Sequence, residues 1–364
     1  MGVFYFCVMT TDYIVVGLGL AGLAFCEQLR THNRSFVVFD GTLQQSSQVA
    51  GGVYNPVVLK RFTAAWRSGE QLQEALPFYR TLEEYLSRKL VYPMPVYRRF
   101  TSAEEQNMWF EAADRPELSP FLSDELDYRP ISCVDAPYGF GVVNHTGRIA
   151  VGSMIEAYRD TLGSERLRRE NLDYHALSFT DEGVVYKEFR ARHIVFAEGY
   201  AMTDNPLFNY LPLKGAKGEV LTIKAPDLDL ENILKSSVFL IPLGSDHYLV
   251  GATYNWTDKT NAVTEEGRKE LLEKLDKIIH CDYEITDQQA GIRPTVADRR
   301  PLVGRHPLQG NAYILNGLGT RGTLTGPFAA RQLYRFIEND IPLDQAVDID
   351  RFRKRYLRHS GAAR

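Results

Sequence analysis

The chain has 364 residues, of which 44% are hydrophobic and 24% charged, and its formal net charge is −4. This composition excludes a disordered or fibrous protein, and the length predicts about two domains. The negative charge argues against a broad basic surface for nucleic acid. The four cysteines form no C-x-x-C pair, which argues against a disulfide framework or a zinc site. No apolar run reaches the ~20 residues that span a bilayer, so we expect a cytoplasmic protein.

The N-terminal elements predict a βαβ unit. The apolar run 13–16 is typical of a buried parallel strand. A glycine-rich turn, a helix to about Arg30 and a second apolar run at 36–39 follow it. Because Met9 stands shortly before the first strand, we expect translation to start there and residues 1–8 to be dispensable.

The rest of the chain predicts helices and strands in a mixed order. We expect helices at 68–88, 149–170, 264–279 and about 325–338, and strands within 178–196, 211–255 and 313–315. Pro327 is expected in the first turn of the last helix, where its missing N–H is tolerated.

The first glycine loop, Gly17-x-Gly19-x-x-Gly22, predicts a dinucleotide site at a helix N-terminus. Gly17 permits the tight turn, Gly19 lets the backbone approach a pyrophosphate, and Gly22 lets the helix pack on the strand. Asp40 follows at close to the expected spacing of ~20 residues and would bind a ribose hydroxyl. The small, polar segment 46–56 favours FAD over NAD, because its backbone can lie flat against a planar ring.

A second loop, residues 317–322, has the same glycine spacing. We do not expect a second dinucleotide site there, since the remaining chain contains no apolar strand that ends in an acid. Instead, the start of the following helix is predicted to face the pyrimidine end of a flavin and to stabilise negative charge during its reduction.

Four motifs resemble the FAD-dependent D-amino-acid oxidase superfamily, especially its glycine oxidase and sarcosine oxidase branch. They are residues 16–22 with Asp40, 193–199, 291–307 and 319–322. The resemblance implies an α/β fold, in which a doubly wound, Rossmann-like FAD-binding domain is built from discontinuous segments beside an antiparallel-sheet substrate domain. We place the FAD-binding domain at 9–65, 142–205 and 288–350, and the substrate domain at 66–141 and 206–287.

The loops and the resemblance together assign the cofactor contacts to small residues and one acid. These are Gly17, Gly19, Ala21, Gly22, Asp40, Ser47, Gly51, Gly52, Ala197, Gly199, Gly319, Thr320 and Gly322. In such proteins the flavin takes a hydride at N5 from the amine-bearing carbon, and the resulting imine hydrolyses. No acid–base residue is evident in the sequence, and no metal site is expected.

The resemblance also assigns substrate contacts. Arg293 matches the residue that holds the substrate carboxylate in glycine-oxidase-like enzymes, and Arg321 matches a second arginine of that branch; a domain-bridging ion pair is the alternative for each. Tyr254 either lines the pocket or packs in the sheet. Phe239 stands where glycine oxidases carry a tyrosine, which argues against glycine oxidase activity itself. Cys281 lies outside the flavin-tethering motif of sarcosine oxidases, which predicts non-covalent FAD.

These observations predict an FAD-dependent oxidase or dehydrogenase that acts on a small amino acid or a secondary amine. One alternative is an FAD-dependent oxidoreductase of tRNA wobble modification, because a bifunctional enzyme of that kind has similar glycine and arginine loops. The acidic balance and the lack of a partner methyltransferase domain argue against it. Another alternative is a flavin-binding protein without turnover. The sequence leaves open the amine, the electron acceptor and the oligomeric state.

Overall fold

The computed structural model describes residues 8–41 and 46–361. It divides the chain into two compact units that are interleaved in sequence. Unit 1 comprises Met1–Gln48, Met154–Gly215 and Arg293–Arg364, and unit 2 comprises Val49–Ser153 and Ala216–Ile292.

The boundaries of these units differ from the expected domain boundaries in places. Segments 49–65, 142–153 and 288–292, which we assigned to the FAD-binding domain, group with unit 2. Segment 206–215, which we assigned to the substrate domain, groups with unit 1. The functional assignment of the two units stays a prediction.

The helices of the described residues are distributed over both units. They are α1 (Leu20–Thr31), α2 (Ser46–Val49), α3 (Ser68–Leu86), α4 (Ala103–Ala113), α5 (Val151–Arg166), α6 (Glu265–Leu275), α7 (Gly322–Asn339) and α8 (Arg353–His359). The strands are β1 (Met9–Val16), β2 (Phe36–Phe39), β3 (Val53–Tyr54), β4 (Val57–Val58), β5 (Thr63–Ala64), β6 (Val91–Pro93), β7 (Val96–Arg99), β8 (Leu122–Asp127), β9 (Phe140–Val143), β10 (Gly147–Ile149), β11 (Leu167–Arg168), β12 (Leu177–Thr180), β13 (Gly183–Tyr186), β14 (Phe189–Phe196), β15 (Leu213–Lys224), β16 (Ile233–Lys235), β17 (Phe239–Gly244), β18 (His247–Gly251), β19 (Glu284–Val296), β20 (Leu302–Arg305) and β21 (Ala312–Asn316).

Unit 1 is built on a largely parallel sheet. Strands β11, β2, β1, β14 and β21 lie side by side in that order and run parallel. Tyr13 in β1 pairs with Phe36 in β2 on one side and with His193 in β14 on the other. The apolar runs of β1, β2 and β21 are buried along their length, as expected for parallel strands that are covered on both faces. This is the predicted doubly wound α/β architecture.

Unit 2 contains the larger antiparallel part of the fold. Its main sheet has the strand order β19-β15-β18-β17-β16-β7-β9-β8, and a small sheet has the order β3-β10-β6. Most neighbours are antiparallel, and the pair β16–β7 is parallel. The antiparallel sheet implied by the family resemblance is therefore present.

Two helices differ from their predicted bounds. Helix α7 begins at Gly322, so Pro327 lies inside the helix and not in its first turn, contrary to our expectation. There it cannot donate the usual hydrogen bond to the carbonyl four residues earlier. Helix α5 ends at Arg166 and is broken at Gly163, whose φ is 60°.

The N-terminal segment bears on the predicted translation start. Strand β1 starts at Met9, whose N–H donates to the Glu188 carbonyl at 2.8 Å. The prediction that residues 1–8 are dispensable concerns a segment of which 1–7 lie outside the described residues.

Over the part of the chain that the structure describes, no helix combines the length and apolar character needed to cross a membrane.

Candidate cofactor and substrate site

The outer glycines of the first loop are required by the packing of the chain itself. Gly17 has a φ of +92°, and a Cβ atom there would lie 2.7 Å from the Ala197 carbonyl oxygen. A Cβ at Gly22 would lie 1.9 Å from the Gly17 carbonyl oxygen. Both distances are far below a normal contact, so a side chain at either position would displace backbone. Gly17, Gly22 and Ala197 are thus brought together, while their contact with a cofactor stays a prediction.

Gly19 is different, because no backbone atom of the described residues requires it to be glycine. Its φ of −74° is accessible to any residue, and it precedes the first residue of α1. Among the described residues, a Cβ at Gly19 would approach only the Ser47 side chain, with Oγ at 3.1 Å. The Ser47 hydroxyl accepts a hydrogen bond from Leu20 N at 3.0 Å, and Ala21 is buried in the same turn. Among the described residues, only this one small side chain lies against Gly19, which is compatible with a ligand close to the backbone.

Asp40 follows β2 and is held on both of its carboxylate oxygens. Oδ1 accepts from Leu18 N at 2.8 Å, and Oδ2 pairs with the Arg159 guanidinium at 2.6 Å. Each carboxylate oxygen can accept more than one hydrogen bond, so capacity for a ribose hydroxyl remains. Arg159 lies on α5, far from Asp40 in the sequence, and no motif pointed to it.

The segment after β14 connects the two glycine loops within unit 1. Ala197 N donates to the Val16 carbonyl at 2.8 Å. The Gly199 carbonyl, at a residue with φ of +59°, accepts from the Asn316 side-chain amide at 2.8 Å. Asn316 Oδ1 in turn accepts from Gly317 N at 2.7 Å. Asn316 is buried and acts as a bridge that the sequence analysis did not identify.

Glu198 lies in this segment as a buried carboxyl group. It accepts hydrogen bonds from Tyr174 Oη at 2.5 Å and from Asn205 Nδ2 at 2.8 Å. Burial raises the pKa of Glu198 to about 7, although both hydrogen bonds act in the opposite direction. Its charge therefore changes close to neutral pH. The motif containing Glu198 was noticed in the sequence, but its acid was given no role.

The second loop repeats the division of roles seen in the first. A Cβ at Gly317, where φ is +72°, would lie 2.8 Å from Val296 Cγ2, and one at Gly322 would lie 2.9 Å from Leu20 Cδ2. At Gly319, where φ is +61°, the nearest described atom would be Thr295 Cγ2 at 4.0 Å. The middle glycine again faces open space, while the outer two are required by packing. Thr320, beside Gly319, is exposed.

Both predicted substrate arginines lie in unit 1, at or next to this loop. Gly319 N donates to the carbonyl of Pro294 at 3.0 Å, which fixes the residue after Arg293 against the loop. Arg321 caps α7, and its carbonyl accepts from Thr325 N at 3.0 Å and Thr325 Oγ1 at 2.8 Å. Both arginine side chains are half-buried. The structure thus holds the two arginine-bearing segments against each other through backbone hydrogen bonds.

Gly51 and Gly52, predicted as cofactor contacts, belong to unit 2. A Cβ at Gly52, where φ is +70°, would lie 1.9 Å from the Ile149 carbonyl oxygen. A Cβ at Gly51 would lie 2.6 Å from Ile241 Cδ1. Packing inside unit 2 accounts for both glycines, and their contact with a cofactor stays a prediction.

The predicted pocket residues Phe239 and Tyr254 also belong to unit 2. Phe239 in β17 is half-buried against a hydrophobic cluster and pairs with Gly251 of β18. The Lys235 ammonium lies 4.7 Å from the centre of its ring. Tyr254 follows β18 and is 56% exposed, so it is not a core residue of the sheet. Among the described residues, no group of three or more His, Cys, Asp or Glu side chains is placed to hold a metal ion.

Comparison with known proteins identifies the family and the fold. The sequence model of a family described as "DAO: FAD dependent oxidoreductase" matches residues 12–335. The fold is similar to that of glycine oxidase from Geobacillus kaustophilus, with a TM-score of 0.75, 17% identity, and coverage of 94% of this chain and 98% of that one. It is also similar to iminodiacetate oxidase from Chelativorans sp. BNC1, with a TM-score of 0.72, 18% identity, and coverage of 92% and 98%. At these identities the likeness establishes the fold.

The curated relatives carry a different name. The bifunctional protein MnmC of tRNA 5-methylaminomethyl-2-thiouridine biosynthesis from Burkholderia thailandensis is 24% identical over 407 residues, which cover 97% of this chain and 61% of that protein. The protein of the same name from Idiomarina loihiensis is 26% identical over 156 residues, which cover 40% of this chain and 25% of that protein. The chain spans about three fifths of the length of the first of these relatives.

Proposed function

Since the chain belongs to the family of FAD-dependent oxidoreductases, we propose that it oxidises the C–N bond of a carboxylate-bearing amine. This substrate is either a small amino acid or a secondary amine. The cofactor is FAD. When bound, FAD supplies the two-electron acceptor for such an oxidation. We propose that the FAD is bound non-covalently, because Cys281 lies outside the flavin-tethering motif of sarcosine oxidases.

The residues of the first loop fit this cofactor. The N-terminus of α1 presents backbone N–H groups and a positive dipole end, which favour a pyrophosphate. Among the described residues, the only side chain close to the Cβ position of Gly19 is Ser47, which is small and polar. We propose that Asp40 binds the ribose while Arg159 holds its carboxylate in place.

The observation that carries the substrate proposal is the hydrogen bond from Gly319 N to the Pro294 carbonyl. It anchors the segment of Arg293 against the loop that contains Arg321, so two guanidinium groups are carried by segments that are fixed to each other. A guanidinium binds a carboxylate through two parallel hydrogen bonds. We propose that Arg293 binds the substrate carboxylate and that Arg321 assists it, while the N-terminus of α7 stabilises negative charge on the cofactor.

A second candidate function is oxidation of an amine carried by tRNA. The observation that favours it is the match to MnmC proteins, which extends over 97% of this chain in the Burkholderia thailandensis protein. The name of these relatives contains a methylaminomethyl group, which is itself a secondary amine. The same bond chemistry would then act on an amine attached to a nucleobase.

Anaerobic reduction of the bound flavin, followed as loss of its visible absorbance, tests both candidates. The substrates are a panel of free amino acids, their N-methyl derivatives, matched amines without a carboxylate, and tRNA. Rapid bleaching by a free amino acid supports the first candidate, and bleaching by tRNA alone supports the second. If none of these substrates reduces the flavin, both candidate functions are wrong.

Arg293→Ala provides the sharper test of the first candidate. A charge-assisted contact in a desolvated pocket contributes about 1.5–3 kcal/mol, so we expect flavin reduction by the amino acid to fall at least ~10-fold. FAD content should be unchanged. Arg293→Lys should recover little activity, because an ammonium cannot form the two parallel hydrogen bonds. Equal loss with the matched amine that lacks a carboxylate would show that Arg293 is structural instead.

A further inference from the structure

Two cysteines that are far apart in the sequence meet in unit 2. Val134 and Ile279 form an antiparallel β-bridge, and His280 N donates to the Cys133 carbonyl at 2.9 Å. Asp135 N donates to the Ile278 carbonyl at 3.3 Å, so the two segments are joined on both sides of the bridge. Cys133 and Cys281 therefore lie on segments that are held together by backbone hydrogen bonds.

The two side chains are neighbours, and the pKa of the Cys281 thiol is raised first by burial and then by the nearby Cys133 side chain. Both are half-buried at the edge of the same hydrophobic cluster, and both are reduced in this structure. The Cys133 thiol also donates to the Asp227 carbonyl at 3.4 Å. Such a pair can react without any opening of the unit 2 core.

The backbone at Cys133 is unusual for a residue with a side chain. Val134 N donates to the Ile131 carbonyl at 3.1 Å, which closes a tight turn, and Cys133 has a φ of 63° in that turn. Glycine or asparagine is the common residue in this left-handed conformation. A cysteine kept in a strained position, with a second thiol beside it, is an observation that points to a role for its sulfur.

We propose that Cys133 and Cys281 are a peroxide-sensitive dithiol that closes to an intramolecular disulfide. One thiol attacks a peroxide oxygen, the O–O bond breaks, and a sulfenic acid and water form. The second thiol then displaces the hydroxyl, which leaves as a second water when the S–S bond forms. Overall, two thiols lose two electrons and two protons, and one hydrogen peroxide becomes two water molecules.

The order of the two steps follows from the environment of Cys281. Burial first, and the neighbouring Cys133 second, raise the pKa of the Cys281 thiol to about 11. Because the thiolate is the nucleophile, this raised pKa slows any attack of Cys281 on peroxide. The proposal therefore assigns the first step to Cys133 and the resolution of the sulfenic acid to Cys281.

The test treats the folded holoenzyme with hydrogen peroxide, blocks the remaining thiols with iodoacetamide and analyses the protein by intact mass and peptide mapping. We expect a monomer that has lost two hydrogen atoms, with one cross-linked peptide pair containing Cys133 and Cys281, and we expect dithiothreitol to reverse it. Folded protein in which both cysteines remain alkylated, or are oxidised singly without a link, would overturn the proposal.

Matched serine variants identify the pair. Cys133→Ser and Cys281→Ser should each abolish the link, and Cys281→Ser should leave a trappable sulfenic acid at Cys133. Cys26→Ser is the control, because Cys26 is buried in unit 1 and should not affect the link. A disulfide that closes so long a loop also restricts the unfolded chain, so the oxidised wild-type protein should melt several degrees higher than the reduced one. If the monomer of Cys133→Ser still loses two hydrogen atoms on peroxide treatment, another pair of cysteines forms the disulfide and the assignment is wrong.

Discussion

The two glycine loops have the same spacing, and the structure uses their glycines in the same way, but the surroundings of the loops differ. In each loop the outer glycines avoid collisions with the chain, and a Cβ at the middle one would meet only a single side chain among the described residues. The first loop lies beside Asp40, which binds its backbone at Leu18 N. The second loop instead binds the carbonyl that follows Arg293. The shared glycine spacing thus indicates a shared backbone geometry. The residues around each loop determine which part of a ligand the loop can bind.

The largest effect is expected where a glycine is required by the chain itself. A Cβ in Gly22→Ala would lie 1.9 Å from the Gly17 carbonyl oxygen, so the α1 helix must shift from β1. We expect a loss of about 3–5 kcal/mol in the free energy of unfolding, as for severe steric conflicts in a core. Denaturant unfolding of the apoprotein measures it. Gly310→Ala is the matched control, because a Cβ there meets no described atom within 4 Å, and equal stability of the two variants would contradict this account.

The segment between the loops predicts a pH effect of similar size. The pKa of Glu198 is raised from 4.5 to about 7 by burial, so the folded state binds this proton more tightly than the unfolded state does. The stabilisation by protonated Glu198 is complete below pH 4.5 and is lost as the pH rises to about 7. The rise in the pKa of Glu198 from 4.5 to about 7 corresponds to about 3 kcal/mol in the free energy of unfolding.

Glu198→Gln tests this effect, because glutamine does not titrate. Between pH 4 and pH 8, the wild-type protein should lose about 3 kcal/mol in free energy of unfolding relative to the variant. Denaturant unfolding at several pH values measures it, and contributions from other groups cancel in the difference. Parallel stability curves for the two proteins would contradict the assigned pKa.

Gly19→Val separates ligand contact from folding. The only described neighbour of a Cβ at position 19 is the Ser47 side chain, so the fold should tolerate the change with a small adjustment. The pyrophosphate of FAD would be displaced, with the loss of charge-assisted hydrogen bonds that contribute about 1.5–3 kcal/mol each, so we expect at least ~100-fold weaker binding. Flavin titration and apoprotein melting measure the two effects. Full FAD occupancy would exclude the first loop as the site.

The smallest effect belongs to the middle glycine of the second loop. Gly319→Ala meets open space, but the φ of +61° is unfavourable for alanine, which costs about 1 kcal/mol. FAD should be retained, while the rate of flavin reduction should change more than the affinity, since this loop is proposed to serve the reacting end of the cofactor. Loss of FAD equal to that in Gly19→Val would show that the two loops contact the cofactor in the same way.

Local patterns predicted much of the fold. The run 36–39 matches β2 in both bounds, and the helix expected at 68–88 is Ser68–Leu86, because apolar periodicity reports burial directly. The start of α7 was missed, since a glycine at a helix start has the same sequence pattern as a loop. The confirmed α/β architecture followed from the βαβ pattern and the family motifs.

The site was predictable only where a motif carries it. Arg159 and Asn316 make buried polar contacts with residues more than a hundred positions away, and neither belongs to a recognisable spacing. The proximity of the Cys133 and Cys281 segments is of the same kind, because an isolated β-bridge between Val134 and Ile279 brings them together. Such partners depend on tertiary packing, which a single sequence does not display.

The close packing of Gly322 on Leu20 has an electrostatic consequence. Gly322 and Leu20 are the first residues of α7 and α1, so the beginnings of two helices lie close together in unit 1. Each helix beginning carries roughly half a positive charge, and like charges at close range repel. If FAD binds at both loops as we propose, its negative charge is a shared counterion that reduces this repulsion.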